Sequence, residues 1–295
     1  MDIRPMIAES NRSKALRPIQ PSVLTNLSTS TCLLETLGLS MESKQKEQNH
    51  LADLCGAEHH TGSQLLHDIT PCFRLALDAA NIAIVEAVAG HRVIHLVDFD
   101  INAPQHAALI QRLADRRVPG TCLQVTAVTD PTSPFTQSLA ATLPGVGERL
   151  KKLAERAGIE YHFRMISCRA AEIEASKLGC EPGEALAVNL AFALSHVPDE
   201  SVSPANPRDE LLRRVRALGP QVVTLVEQEL NSNTAPLATR FSDAYLHYGA
   251  ILDALDSTVM ARAGAPPPGL VVNQENGVLR LGWKQRVVAV ASAWR

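Results

Sequence analysis

Three acidic residues stand where apolar runs end: Asp98 and Asp100 at the close of the run that begins at Val93, and Asp130 after 123–128. In an open α/β sheet the carboxyl ends of the strands border the ligand crevice, and an acid there can accept hydrogen bonds from a cofactor ribose. The same positions suit capping of the helices that follow, because a helix N-terminus carries partial positive charge and favours an acid. Capping is the favoured expectation for all three. The turn after the first run, Ile101-Asn102-Ala103-Pro104-Gln105, contains no glycine. A backbone that approaches a cofactor closely needs residues without a Cβ, and Pro104 has no N–H to donate. The frame of a cofactor enzyme without its contact surface predicts no bound cofactor and no catalytic residue.

Other groups could do chemistry and have a plainer reading. His95 lies inside the first apolar run, and no motif places a Ser or Cys nucleophile beside it; a hydrogen-bonded core histidine is expected. Cys55, Glu58, His59 and His60 are metal-type donors, but no second ligand pair at zinc spacing accompanies them, so no metal is expected. Glu227 and Glu229 are two apart and share a strand face. They could form an acid/base pair in a pocket, or accept hydrogen bonds from loop amides, which is the expectation here. Arg208, Arg213, Arg214 and Arg216 form the best phosphate-binding candidate. Leu211, Leu212, Val215 and Leu218 make the buried stripe of the same helix, and no interleaved aromatic residue is available to stack a base. Trp283 and Trp294 read as packing anchors.

The elements that must position these residues alternate along the chain. Thr70-Pro71 predicts a helix start, with the Thr70 hydroxyl as N-cap, and Gly90 ends that helix. Strands are expected at 93–99, 123–128, 159–166, 185–190 and 222–227. Helices are expected at 105–116, 146–157, 170–178, 208–218 and 236–255. Alternation of this kind implies parallel βαβ units with helices on both sheet faces. The runs 278–283 and 287–292 flank a short polar turn and suggest an antiparallel hairpin. Strand order does not follow from the pattern.

Composition narrows the classes. The chain has 295 residues, 45% hydrophobic and 20% charged, with a formal net charge of −3. Near-neutral charge argues against a surface devoted to gripping phosphates. Six irregularly spaced cysteines without a Cys-x-x-Cys pair fit a reducing compartment. No apolar run reaches the roughly 18–20 residues of a membrane span.

At Ile94-His95-Leu96-Val97-Asp98 the chain resembles the "VHIID" signature of the plant GRAS family of transcriptional regulators. Ser292-Ala293-Trp294 is similar to that family's terminal "SAW" motif. Pro198-Asp199-Glu200-Ser201, Asn206-Pro207-Arg208-Asp209 and 223–229 resemble its central region, closest to scarecrow-like members. The resemblance implies an α/β, Rossmann-like (methyltransferase-like) doubly wound sheet with a helical N-terminal cap. It divides the chain into a flexible tail at 1–30 and a GRAS-like domain at 31–295. The latter comprises a leucine-rich helical cap (31–90), an α/β core (91–260), a shortened linker (261–277) and a terminal hairpin (278–295). It also implies a nuclear, non-enzymatic regulator that works through protein–protein interactions. Its partners would be other transcription factors or co-regulators docking on the cap, with promoter DNA reached through them. Homo- or heterodimerisation is open. The alternative is a methyltransferase-like enzyme using S-adenosylmethionine, or a small-molecule sensor. Relatives commonly carry a Gly-Gln-Gly-Gly-Gln-type turn where this chain has 101–105, and only Gln105 is retained. They also place a longer arginine- and glutamate-rich stretch before the terminal motif.

Overall fold

Residues 57–133, 139–201, 203–230, 235–261, 271–275, 278–282 and 286–292 are described by a computed structural model. The order is α1 (Ala57–Ile69), α2 (Pro71–Ala87), β1 (Val93–Asp98), α3 (Ala103–Asp115), β2 (Cys122–Thr129), α4 (Leu143–Arg156), β3 (Glu160–Ser167), α5 (Ala175–Leu178), β4 (Ala185–Ala191), α6 (Pro207–Ala217), β5 (Val222–Gln228), α7 (Leu237–Ala261), β6 (Val271–Glu275), β7 (Val278–Gly282) and β8 (Arg286–Ser292). One eight-stranded sheet runs β3-β2-β1-β4-β5-β8-β7-β6. The first five strands pair in parallel, while β8 pairs antiparallel with β5 and with β7, and β6 antiparallel with β7. The order reverses between β1 and β4, which is the ligand crevice of doubly wound folds.

β1 is central and covered on both faces, so it reads as a continuous apolar run. Its even and odd positions feed different layers. Ile94 and Leu96 join Val125, Ala127, Ala187, Ile84 of α2, Leu109 and Leu113 of α3, and Leu150 of α4. Val97 joins Val188, Leu190 and Val223 with Ile173, Leu178, Leu211 and Val215 on the opposite face. Full burial of a side chain such as Leu113, at 0% exposure, stabilises by about 1.5–3 kcal/mol. A third cluster joins Phe73, Leu77 and Ala80 of α2 to Ala244, Tyr248 and Ile251 of α7. Helix α2, the last of the sequence-assigned cap, contacts β5, β8 and α3 directly and forms part of the layer over the sheet.

Local chemistry sets the boundaries. Asn102 caps α3 by accepting from Gln105 N at 3.0 Å, with Pro104 in the first turn. Asn206 caps α6, accepting from Asp209 N at 3.2 Å, with Pro207 following. Thr70 precedes Pro71 in extended conformation, but its hydroxyl donates back to Leu66 O at 2.5 Å rather than capping α2. The hydroxyl finds the open last turn of α1 before it finds its own helix. The expected helix 170–178 is broken into a 3-10 turn (Ala170–Glu172) and one turn of α5. Across the 3-10 turn the Glu172 carboxylate accepts from Arg169 N at 3.0 Å, a local alternative that diverts the backbone from continuous helix. Strand β6 is an addition to the expected elements. Gly147 in α4 lies against the Phe163 ring, where a Cβ would overlap it. Among the described residues no helix is long and apolar enough to cross a membrane.

Candidate functional site

The switch point is filled by the protein's own polar side chains. Asp98, 0% exposed, ends β1. Its Oδ2 accepts from His106 Nε2 at 2.7 Å and from Asn189 Nδ2 at 2.9 Å, and its Oδ1 accepts from Asp100 N at 3.1 Å. Asn189 of β4 forms a reciprocal amide pair with Gln105: Asn189 Nδ2 donates to Gln105 Oε1 at 3.1 Å, and Gln105 Nε2 to Asn189 Oδ1 at 3.3 Å. Thr224 of β5 donates to Asn189 Oδ1 at 2.9 Å. Asn81 of α2 donates to Gln105 O at 2.9 Å. All six side chains, Asn81, Asp98, Gln105, His106, Asn189 and Thr224, are buried. Two atoms of this cluster, His106 Nδ1 and Asn81 Oδ1, have no hydrogen-bond partner among the described residues.

The placement follows from the sheet. Register pairs Asp98 with Asn189 across β1 and β4, and Asn189 with Thr224 across β4 and β5. The three therefore share one face of the sheet. The Asn102 cap then starts α3 at a point where Gln105 and His106 drop onto that row. Asp98 does end a strand, as its apolar run predicts, but it caps no helix. The capping atom is the Asn102 carbonyl, two residues beyond Asp100, and the Asp98 carboxylate is spent within the network.

The other acids separate. Asp130 Oδ1 accepts from Thr132 N at 2.8 Å and Thr132 Oγ1 at 2.6 Å, closing its own turn rather than capping a helix. Asp100 is half-buried, and burial, with Asp98 and Glu227 nearby, raises its carboxyl to about 8. Glu227 Oε1 accepts from the loop amides of Leu194 at 2.8 Å and Ser195 at 3.3 Å. Burial raises Glu227 to about 7 against the lowering effect of those amides. Glu229 lies past the end of β5 and is exposed, so no paired acid and base face a common pocket.

On the opposite sheet face His95, 0% exposed, has both ring nitrogens engaged: Nδ1 with Glu184 Oε2 at 3.1 Å and Nε2 with Thr126 Oγ1 at 2.8 Å. Burial lowers its pKa, outweighing the raising effect of Glu184. Gln124 Nε2 donates to Glu184 Oε1 at 2.8 Å, and Arg164 donates to Thr126 Oγ1 at 3.2 Å. None of these partners was singled out in the sequence. Each is an ordinary polar residue on β2, on β3 or in the loop before β4, and only register gathers them around His95.

A cavity of about 40 Å³ lies beyond the ends of β1, β2 and β4, lined by Phe99, Val128, Cys168, Ile173, His196 and Leu211 among others. That volume suits about three waters, far below a nucleoside cofactor. With the switch point filled and the bend at 101–105 built of residues bearing Cβ, the described residues at this crevice do not fit S-adenosylmethionine or a dinucleotide.

Three of the four arginines of α6 are held by local acids. Arg208 Nη1 meets Asp199 Oδ2 at 3.0 Å, while Arg213 and Arg214 meet Glu210 at 3.1 and 2.7 Å. Cys55, Trp283, Ala293 and Trp294 lie outside the described residues, as does most of the shortened linker. Glu58, His59 and His60 are placed only as helix backbone, and Ser292 as the last residue of β8.

Comparison with known proteins gives a consistent answer. Residues 24–266 match the GRAS domain family. Scarecrow-like protein 1 of Arabidopsis thaliana is 42% identical over 203 residues, covering 68% of this chain and 34% of that protein. The Scarecrow-like transcription factor PAT1 of the same plant is 38% identical over 228 residues, 77% of this chain and 46% of that protein. The chain thus spans less than half the length of these curated relatives. The crystal structure of SCL7 in Oryza sativa superposes with a TM-score of 0.65 at 22% identity, covering 98% of each chain, and shows a shared fold. The family match across most of the sequence and the identities near 40% make this chain a scarecrow-like member of the GRAS domain family.

Proposed function

We propose that the chain is a nuclear transcriptional regulator that acts through protein contacts rather than catalysis, and reaches promoter DNA through its partners. The observation that carries this reading is the switch point occupied by Asp98, His106, Gln105, Asn189 and Thr224. The position a cofactor enzyme keeps open is a closed part of the core here. Family membership supports the regulatory half, since a matched relative is named a transcription factor. Exposed apolar side chains support the contact mode. On α7, Leu237, Phe241 and Tyr245 recur at four-residue spacing and are 55%, 52% and 38% exposed, with Leu246 at 66%. The Phe241 and Tyr245 rings stack at 6.4 Å. Grouped exposed apolar side chains mark interaction surfaces more often than they mark solvent-facing helix.

The test combines two measurements on the full chain. Calorimetric titration with S-adenosylmethionine and with nicotinamide nucleotides should show no saturable binding. Chromatin capture of the tagged chain from plant nuclei should recover promoter fragments, and recovery should fall when Phe241 and Tyr245 are both changed to Ser. Micromolar cofactor binding, or promoter recovery indifferent to candidate partners, overturns the reading.

A further inference from the structure

The pairing of β2 with β3 brings together three donors that lie far apart in sequence. In the parallel register Cys122 stands beside Glu160, and Gln124 beside His162. Positions 122, 160 and 162 therefore share one sheet face. The Cys122 Sγ, a Glu160 carboxylate oxygen and a His162 ring nitrogen all lie within 4.8 Å of one another. His162 Nε2 already sits 2.9 Å from Glu160 Oε1. The group lies at the N-terminal ends of β2 and β3, on the outer edge of the sheet and at the opposite end of the strands from the switch point.

We propose that Cys122, Glu160 and His162 form a zinc site that ties the edge strand β3 to β2. Thiolate, imidazole and carboxylate are the three donor types zinc accepts, with bonds of about 2.3 Å to sulfur and about 2.0–2.2 Å to nitrogen and oxygen. A tetrahedral ion with such bonds holds its ligand atoms roughly 3.3–3.6 Å apart. Reaching that spacing takes small side-chain rotations, and the two ligands that must move are the exposed ones. The His162 and Glu160 side chains are 60% and 64% exposed, while Cys122 is anchored at 8%. Three protein ligands leave a fourth position open to solvent, where a water completes the shell. Mixed sulfur, nitrogen and oxygen donors favour zinc over magnesium or calcium, which take oxygen. Without metal, burial and the nearby Glu160 and Glu184 raise the Cys122 pKa, so the thiol keeps its proton. On coordination the thiol proton passes to solvent and the sulfur lone pair goes to the ion; His162 gives up its hydrogen bond to Glu160 and binds through its unprotonated ring nitrogen, the ring proton resting on the other, and no electron is transferred.

This site was invisible in the sequence for a simple reason. The ligands come from neighbouring strands of a parallel pair, so their spacing reflects the crossover through α4 and not a ligand motif. The donor cluster at 55–60, which the sequence does show, provides the control.

The experiment uses the full chain, stripped with chelator, reduced, and titrated with cobalt(II) as a spectroscopic stand-in for zinc. One equivalent should produce a thiolate-to-cobalt charge-transfer band in the near ultraviolet, and zinc should abolish it by displacement. Cys122→Ser should remove the band. His162→Gln and Glu160→Gln should each weaken affinity by at least about tenfold, since even loss of an outer-shell partner weakens metal sites by that much. Cys55→Ser should leave the band intact. No band in the unmodified chain, a band that survives Cys122→Ser, or one lost in Cys55→Ser overturns the proposal. Should Cys122→Ser fail to fold, the two surface variants decide: unchanged cobalt affinity in both refutes it.

Discussion

Replacing Asn189 with Ala tests the claim that the switch point is closed core. The Asn189 side chain is in a residue only 1% exposed and serves three neighbours. Without it the Gln105 amide loses both its 3.1 and 3.3 Å contacts, and Thr224 loses its 2.9 Å acceptor but keeps Val188 O at 3.4 Å. Asp98 loses a 2.9 Å donor and keeps His106 at 2.7 Å. Each buried polar group left unsatisfied costs about 1–3 kcal/mol, more beside a charge. With the Gln105 amide stranded and Asp98 half-deprived, the loss should be on the order of 3–5 kcal/mol. Urea unfolding followed by far-ultraviolet circular dichroism measures it. The matching control is Gln111→Ala, whose 3.0 Å bond to Asp115 is exposed and should matter by less than about 0.5 kcal/mol. A double-mutant cycle of Gln105→Ala with Asn189→Ala should be strongly non-additive, with a coupling of roughly 1–3 kcal/mol. A loss below about 1 kcal/mol, or an additive cycle, would mean that solvent already satisfies these groups. The crevice would then be open, and the case against a bound cofactor would fall with it.

Other consequences are independent of that network. Asp100 and Glu227 have folded pKa values raised to about 8 and about 7. The unfolded chain releases these protons first, so the folded state binds more of them and stability falls as pH rises to those values. His95, His196 and His247 are shifted downward, and their opposite contribution grows only up to pH 6.5. Thermal melts should therefore fall between pH 6.5 and 8, and Asp100→Asn should flatten that decline; an unchanged slope refutes the assignment. Gly147→Ala should destabilise by about 1–3 kcal/mol, because the new methyl meets the Phe163 ring. Gly145→Ala, in open space two residues earlier in the same helix, should be neutral or stabilising by up to about 1 kcal/mol. Equal effects in denaturant titrations would show that Phe163 yields freely. Changing Arg213 and Arg214 together to Ala should alter stability by less than about 1 kcal/mol, since each is a surface partner of Glu210.

The parts of this fold that could be read from sequence were those set by local pattern. The five parallel strands lie within a residue or two of their apolar runs; β1, β2 and β4 are buried almost throughout and leave little but such a run, whereas the edge strand β3 is mostly exposed and shows a weaker one. Asn206-Pro207 opened α6 as its type demands. Strand order was not legible, since it depends on where each crossover helix packs. Neither was β6, whose Val-Val start follows a proline-rich stretch. The site divided in the same way. Asp98 and Gln105 stood out by position, whereas Asn189, His106, Thr224 and Asn81 did not. These four carry no special spacing, and partners as far as 91 residues apart meet only through register. Asn102 was seen as one residue of a crowded turn, yet its side chain is the cap that sets the phase of α3 and turns Gln105 and His106 inward.

The two polar letters of the β1 motif now have distinct physical tasks. Ile94, Leu96 and Val97 fill the apolar layers, while His95 and Asp98, being three apart, must project to opposite faces. His95 joins β1 to β2 through Thr126 and to the loop before β4 through Glu184. Asp98 joins β1 to α3 through His106 and to β4 through Asn189. Each bonded network locks one face of the same strand against its neighbours. The pentapeptide is thus explained by what the sheet needs at its centre, with no ligand required to account for any of its five side chains. Here the pentapeptide ties the centre of the sheet to β2, to α3 and to β4.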